Sequence, residues 1–494
     1  MNTRVAVALA VVLLLVAGGV VYSFLPGLMQ AAPTTSPSSP TGTTSSSSTS
    51  SQPGLSTTTG HPSSSTTVGA SSPDWPTYHK DLTRTGVLQS PVASSVRQDW
   101  TSPLLDGDIY AEPLFVGGNV YVATENNSVY SLNAQTGSIV WRTNLGTAVN
   151  ASTLPCGDIS PVTGITGTPV INVTSRTLYA VAFLRNTEAG AALSPVHHVL
   201  FSLNIDTGMV LSQVGADAAG SNPVVEQERS ALSLSDGIVY VPYGGLAGDC
   251  GQYWGFIVGS AKNGTVYTYK VPAGREGGFW ATSGLGIDSF GNVYAASGNG
   301  ASFGATFDHG DAVIKLSPAL KEIGFFAPTN WSQLNADDTD IGSLGPTLLN
   351  DNTLFQIGKE GVGYLVSAKS MGGIGAPLFS AQVCREAFGG TAYANSLVYV
   401  PCRQDGLFAL QISGSSFTTA WHTAAFNAGP PIIAGGLVWT VDLDSSMIHA
   451  YNQGSGTEAY HASLGPVPHF TSPTAGGSRV YVVSGHAITS FLFG

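Results

Sequence analysis

The feature that most constrains this chain is a repeat. Residues 119–146, NVYVATENNSVYSLNAQTGSIVWRTNLG, read as three short strands. NVYVAT is rich in β-branched and aromatic residues, Glu125-Asn126-Asn127 turns, and SVYSLN returns. Gln135-Thr136-Gly137 turns again and SIVWRTNLG runs back out. Apolar residues alternate with small or polar ones at a period of two, which specifies antiparallel sheet and not helix. One such sheet cannot bury its own faces, and the sequence supplies its neighbours. SLNIDTGMV (202–210) and AYNQGSGTEAYHASLG (450–465) repeat the same turn and outgoing strand. A small-residue strand precedes each unit: AEPLF, GTPVI, RSALS, SGLGI, LGPTL, GGTAY, GPPII and TSPTA, starting at 111, 167, 229, 283, 344, 389, 429 and 471. Eight units of roughly 40 to 60 residues match the period of propeller blades. The expectation is an all-β, eight-bladed β-propeller of four-stranded antiparallel blades, with strands A (inner) to D (outer).

The last unit ends at strand C. SSVRQDWTSPL (94–104) is expected to supply its outer strand, because Trp100 corresponds to Trp141 and Trp421 in other D strands. Closing the ring in this way removes the open sheet edges that invite aggregation. The propeller therefore occupies 74–494. Ahead of it, Val5 to Leu25 is an apolar run of about 21 residues, long enough to span a bilayer as a helix. Arg4 is the only charge before Asp74, which places the N-terminus inside. Residues 1–30 read as an uncleaved transmembrane anchor, with a cleavable signal peptide as the rival because Ala17-Gly18-Gly19 offers small residues. No Cys stands there for a lipid anchor. Residues 31–73 are almost all Ser, Thr, Pro and Gly, a stalk that cannot bury enough apolar surface to fold. Five N-x-S/T sequons, at Asn126, Asn150, Asn172, Asn263 and Asn330, fit an extracytoplasmic location.

Charged residues make up 10% of the chain, only 18 are Lys or Arg, and the net charge is −12. No basic patch exists to neutralise phosphates, which sets nucleic acid aside as a partner. Few basic groups also means little self-repulsion once the carboxylates are protonated, as suits a protein exposed to acid. A glycan-shielded surface at neutral pH is the other reading.

Strand order puts the B–C and D–A loops on one end, and the long insertions fall there: 146–165, 184–197, 244–255, 297–311 and 328–341. All four cysteines map to that end. Three pairings are possible, and proximity favours Cys156–Cys250 and Cys384–Cys402. The same face carries Asp308 and Asp311 in Phe307-Asp308-His309-Gly310-Asp311, with Asp337, Asp338 and Asp340 in the loop entering blade five. Facing them are Arg229, Arg275-Glu276, Lys359-Glu360, Arg385-Glu386 and Arg403. Neighbouring carboxylates and cations can split their pKa values into an acid and a base, although Asp in a Gly-flanked loop more often caps its own turn. The three acids at 337–340 lack the rest of a calcium loop. His197-His198 begin a C strand and read as packing.

VYVATENNSVYSLNAQTGSIVWRTNLG resembles the repeat of the pyrroloquinoline-quinone-like (quinoprotein) β-propellers, and DWPTYHKDLTRTGV (74–87) resembles the segment before their first blade. The quinone dehydrogenases of this fold place an adjacent Cys-Cys pair beside the cofactor. Here no cysteines are adjacent, no C-x-x-C-H haem site exists, and the calcium-linked Glu, Asn and Asp set does not map. In size, export and low charge the chain is similar to the cofactor-free, acid-active tetrathionate hydrolases. That resemblance implies hydrolysis of an S–S-linked polythionate, a small anionic substrate. Loop placement then assigns Asp311 first and Asp308 second as acid/base, with Arg229, Arg275, Arg403 and Lys359 as sulfonate anchors and no cofactor or metal. A non-catalytic ligand-binding or assembly scaffold is the alternative. A quinone dehydrogenase holding PQQ and Ca²⁺, with Trp254, Trp280 or Trp331 stacking on the ring, is the second.

Overall fold

The alternation of small and β-branched residues is realised as antiparallel pairing. In the computed structural model, which describes residues 73–186, 194–302 and 306–494, it builds eight four-stranded sheets, with short strand additions in two of them. Blade one is Leu114–Val116, Asn119–Ala123, Ser128–Asn133 and Ile139–Asn144. The first three of these strands are buried and the outer one is mostly exposed. The next six blades begin on Val170–Asn172, Ser233–Ser235, Gly286–Ile287, Thr347–Asn350, Ala392–Ala394 and Ile432–Ala434. The apolar run 5–25 and residues 31–72 of the stalk lie outside the described residues. Among the described residues no helix is long and apolar enough to cross a membrane.

The ring closes as the sequence indicates. Thr474–Gly476, Arg479–Ser484 and Ala487–Phe493 receive Val96–Thr101 as their outer strand, antiparallel, with Val96 opposite Phe493 and Thr101 opposite Thr489. One interaction explains why the tryptophans recur. Trp100, Trp141 and Trp421 each donate the indole N–H to a carbonyl in the next blade's C–D turn, at Ala134 (3.2 Å), Ile205 (2.9 Å) and Gln453 (2.9 Å). Each ring lies on the turn glycine (Gly137, Gly208 or Gly456), where a Cβ would come within 2.4–2.6 Å of ring atoms. Each of those glycines also has a positive φ, +71°, +71° and +68°, so the turn needs glycine twice over. Trp100 thus ties the last blade to the first, supported by Phe115 stacked on Tyr481 at 5.9 Å.

The segment 74–88 does more than precede blade one. It runs as a collar around the inner strands near their A–B turns. Pro76 O accepts the N–H of Ile171 (2.8 Å), Leu82 O that of Ile287 (2.7 Å), and Thr83 O that of Leu348 (3.0 Å). Thr85 O accepts the N–H of Tyr393 (2.9 Å), and Gly86 O that of Ile433 (2.8 Å). Trp75 exchanges both backbone bonds with Phe115. Inside the collar, Arg84 is 1% exposed and donates to Leu285 O, Thr77 Oγ1, Tyr78 O and Ser233 Oγ. The channel is therefore plugged at the end opposite the long loops, and what opens on the loop face is a pocket and not a tunnel.

Candidate active site on the loop face

Among the described residues, D–A and B–C loops meet at the channel mouth, because alternate strand direction sends them to one end. They line a cavity of about 550 Å³ whose walls include Asp158, Arg229, Asp249, Tyr253, Trp280, Asn299, Asp338, Asp340, Lys359, Glu386, Phe388, Arg403, His469 and Phe470. Three half-buried rings form an aromatic surface within it. Trp280 lies 6.3 Å from Phe388 and 6.4 Å from Phe470, and the two phenylalanines stack at 5.8 Å. Each ring carries one cation: Lys359 over Trp280 at 5.4 Å, Arg403 over Phe388 at 5.6 Å and Arg229 over Phe470 at 5.2 Å.

Each cation also has an acid. Lys359 pairs with Asp340 and, at 2.8 Å, with Asp338. Arg403 lies 3.4 Å from Glu386. Arg229 contacts His469 and lies 3.4 Å from Asp158, whose same oxygen is 3.2 Å from His469 Nε2. Burial alone would raise Asp158, but the His469 hydrogen bond and the Arg229 charge outweigh it and hold the carboxyl below its usual range. Asp340 is 1% exposed and accepts the N–H of Asn299. Its close approach depends on Gly298, where a Cβ would sit 2.6 Å from Asp340 Oδ1 and 2.9 Å from Trp280 Nε1.

Behind Asp340 stands Asp311. It is fully buried, accepts the N–H of Ile341 on one oxygen (2.9 Å), and leaves the other without a partner. Burial first and the Asp340 charge second push Asp311 well above the carboxylate range, so it holds a proton. Burial raises Asp340 as well, against the pull of Lys359. The Asp340 and Asp338 charges in turn raise Lys359 against its own desolvation and keep it an ammonium. Asp311 therefore holds its proton more tightly than Asp340, which faces the Lys359 cation.

Of the residues expected from the sequence, the structure brings Arg229, Arg403 and Lys359 together in the pocket. Asp311 lies one layer behind its wall. Asp308 lines a separate cleft with Phe307 and His309, where it accepts the N–H groups of Ser302 and Gly310, both at 3.0 Å. Arg275 pairs with Glu276 and donates to the carbonyl of Asp249 (3.4 Å), and does not itself line the cavity. The cysteines pair as proximity suggests, Cys156–Cys250 and Cys384–Cys402. His198 is buried, 2.8 Å from Asp217 and stacked on Phe183, in a packing role. Parts of two expected loops, 187–193 and 303–305, lie outside the described residues. The sequence reading missed Phe388, His469 and Phe470. No motif marks them, and only ring closure brings 388 beside 470.

The model of the family described as outer membrane protein assembly factor BamB matches residues 38–306. The chain belongs to that family. A curated member from Burkholderia pseudomallei (strain K96243), an outer membrane protein assembly factor BamB, is 38% identical over 91 residues, which is 18% of this chain and 24% of the relative. The match thus spans about a quarter of that protein's length. In three dimensions the chain is similar to the quinohemoprotein alcohol dehydrogenase ADHIIG of Pseudomonas putida HK5 (TM-score 0.65, 14% identity, 86% of this chain and 81% of that one). It is also similar to BamB from Moraxella catarrhalis (TM-score 0.55, 16% identity, 81% of this chain and 100% of that one). These likenesses establish the quinoprotein-type propeller fold.

Proposed function

We propose that the loop-face pocket is the active site of an extracytoplasmic hydrolase acting on a small dianion, with tetrathionate as the substrate to test. The observation that carries the reading is the Asp340–Lys359 pair on the cavity wall with the protonated Asp311 behind it. Two carboxyls with separated pKa values let one act as base while the other stays neutral. Water attacks one of the two central sulfurs, the central S–S bond breaks, and thiosulfate leaves with the bonding pair while the attacked sulfur becomes a sulfenic acid. Asp340 takes the water's proton, and Lys359, Arg403 and Arg229 hold the anionic ends against aromatic faces. Asp311 acts through Asp340 and is a positioning residue. Two disulfides support exposure outside the cytoplasm.

In this reading no cofactor is needed. A quinone with Ca²⁺ is the alternative raised by the likeness to the alcohol dehydrogenase. Trp280 would offer it a stacking face, and the three cations would meet its carboxylates. Among the described residues, however, no three His, Cys, Asp or Glu side chains converge to hold a metal ion, and neither disulfide joins adjacent cysteines. The donor set does not fit the metal, and no step is drawn through it. Membership of the BamB family favours a second reading, an assembly scaffold presented at the cell envelope. Tetrathionate consumption by the purified chain without cofactor, lost in a folded Asp340→Asn variant, supports the hydrolase. Turnover only after quinone and Ca²⁺ are added overturns it. A chain inactive under every condition, yet cross-linked to envelope proteins, is the scaffold's outcome.

A further inference from the structure

We propose that a single halide ion, chloride under ordinary conditions, binds in a small cavity between the loop-face pocket and the collar. The cavity measures about 10 Å³, room for one water-sized sphere, so its walls would have to yield slightly to take a chloride. Its lining includes Tyr78 from the collar, Thr168 from the entry to blade two, Thr282 from the entry to blade four, and Arg229, His469 and Phe470 from the pocket floor. No carboxylate is among its lining residues.

Three buried polar atoms at this spot have no hydrogen-bond partner: Tyr78 Oη, Thr282 Oγ1 and Arg229 Nε. All three can donate. The Tyr78 phenol lies within reach of the Thr282 and Ser472 hydroxyls, yet no full hydrogen bond satisfies Tyr78 Oη or Thr282 Oγ1. Thr168 adds a fourth donor, because its Oγ1 already accepts the N–H of Glu112 (2.9 Å) and leaves its own proton to give. Arg229 spends Nη2 on Asp158 and His469, so Nε is the guanidinium edge left for the cavity. Burial pushes the Tyr78 phenol far up, and it stays a donor at any working pH.

A cluster of donors around a guanidinium, with no anionic side chain in its lining, is the complement of a monatomic anion. Water would have to place two protons of its own where donors dominate. Of the carboxyls around the cavity, Glu112, Glu125 and Glu228 are pushed up by burial, the first two to about 8 and about 7, so in acid they bring no competing charge. The ionised Asp158 sits on the Nη2 edge of Arg229 and on His469. The ion would bridge the collar and two blade entries, and would fix Arg229 under the pocket.

The test uses the full chain. Crystals soaked in bromide are expected to give an anomalous difference peak within contact of Tyr78 and Thr282. The thermal midpoint should rise with chloride against gluconate at constant ionic strength. Once the site is saturating, each tenfold increase in chloride multiplies the folded-to-unfolded ratio about tenfold. Tyr78→Phe and Thr282→Val, both conservative, should each weaken that chloride dependence. Absence of a bromide peak in the wild-type cavity overturns the proposal, whichever way melting responds, and leaves water as the occupant.

Discussion

Replacing Glu112 by Gln should flatten the pH dependence of stability by one proton. Glu112 is 2% exposed; one oxygen accepts the Trp75 indole N–H (2.6 Å) and the His79 backbone N–H (3.0 Å), and the other meets Ser472 Oγ (2.6 Å). Burial, partly offset by those hydrogen bonds, pushes its pKa up from 4.5 to about 8. The 3.8 Å approach of His79 is not an ion pair, since burial pushes that imidazole down to about 3 and leaves it neutral. The folded-state pKa is raised, so this carboxyl's contribution is fully present below pH 4.5 and is lost as pH climbs towards 8. Between pH 5 and 7 the unfolded chain gives up the proton and the folded chain keeps it, which costs about 1.4 kcal/mol per pH unit, or roughly 3 kcal/mol across the interval. Gln reproduces the protonated acid's shape and donor, so the variant avoids that loss. The assay is urea unfolding at half-unit steps from pH 4 to 8, read as the difference in slope between the two proteins. Parallel slopes, or wild-type stability that rises with pH, would refute the reasoning. Glu125, Glu226, Glu228 and Asp311 are buried and raised in the same sense, so the wild-type slope should exceed one proton.

Trp100→Ala should cost about 2–3 kcal/mol through the lost ring packing, and should bring the amides of Val96–Thr101 into fast hydrogen exchange. Unchanged protection there would mean that the closure does not depend on this ring. Loss of Cys156–Cys250, which spans 94 residues, should destabilise by about 4–5 kcal/mol, against about 3 kcal/mol for Cys384–Cys402, which spans 18, on the chain-entropy account; paired serine variants compared by thermal midpoint test the order, and a reversal refutes it. Asp311→Asn should leave tetrathionate turnover intact at low pH and remove its decline at high pH, since that decline is the ionisation of Asp311 beside Asp340. A profile shifted at its acid limb only would assign the titration elsewhere.

Much of this architecture could be read from local signals. The period-two alternation and the recurring turn gave eight blades, and the shared tryptophan identified 94–104 as the closing strand because every such ring needs a glycine turn beside it. The disulfides followed from placing all four cysteines on one face. The site was legible only as a list. Lys359, Arg229 and Arg403 could be put on the right end, but Asp340 was one of three acids in its loop, and what singles it out is burial against Gly298 and Trp280. The collar was the deeper surprise. Arg84 and His79 look like surface residues in sequence, yet both are buried on the axis, satisfied by carbonyls and hydroxyls from several blades. No periodicity encodes contacts that one segment makes with a whole ring.

The most direct test of the central claim is tetrathionate consumption by the purified chain from pH 2 to 7, without added cofactor, beside Asp340→Asn. Turnover by the wild type that falls away at the acid end of the series, where Asp340 takes up its proton, and that is absent from a variant that melts normally, is the result this account predicts. A wild type that turns over nothing at any pH, or an Asp340→Asn protein as active as its parent, would contradict it.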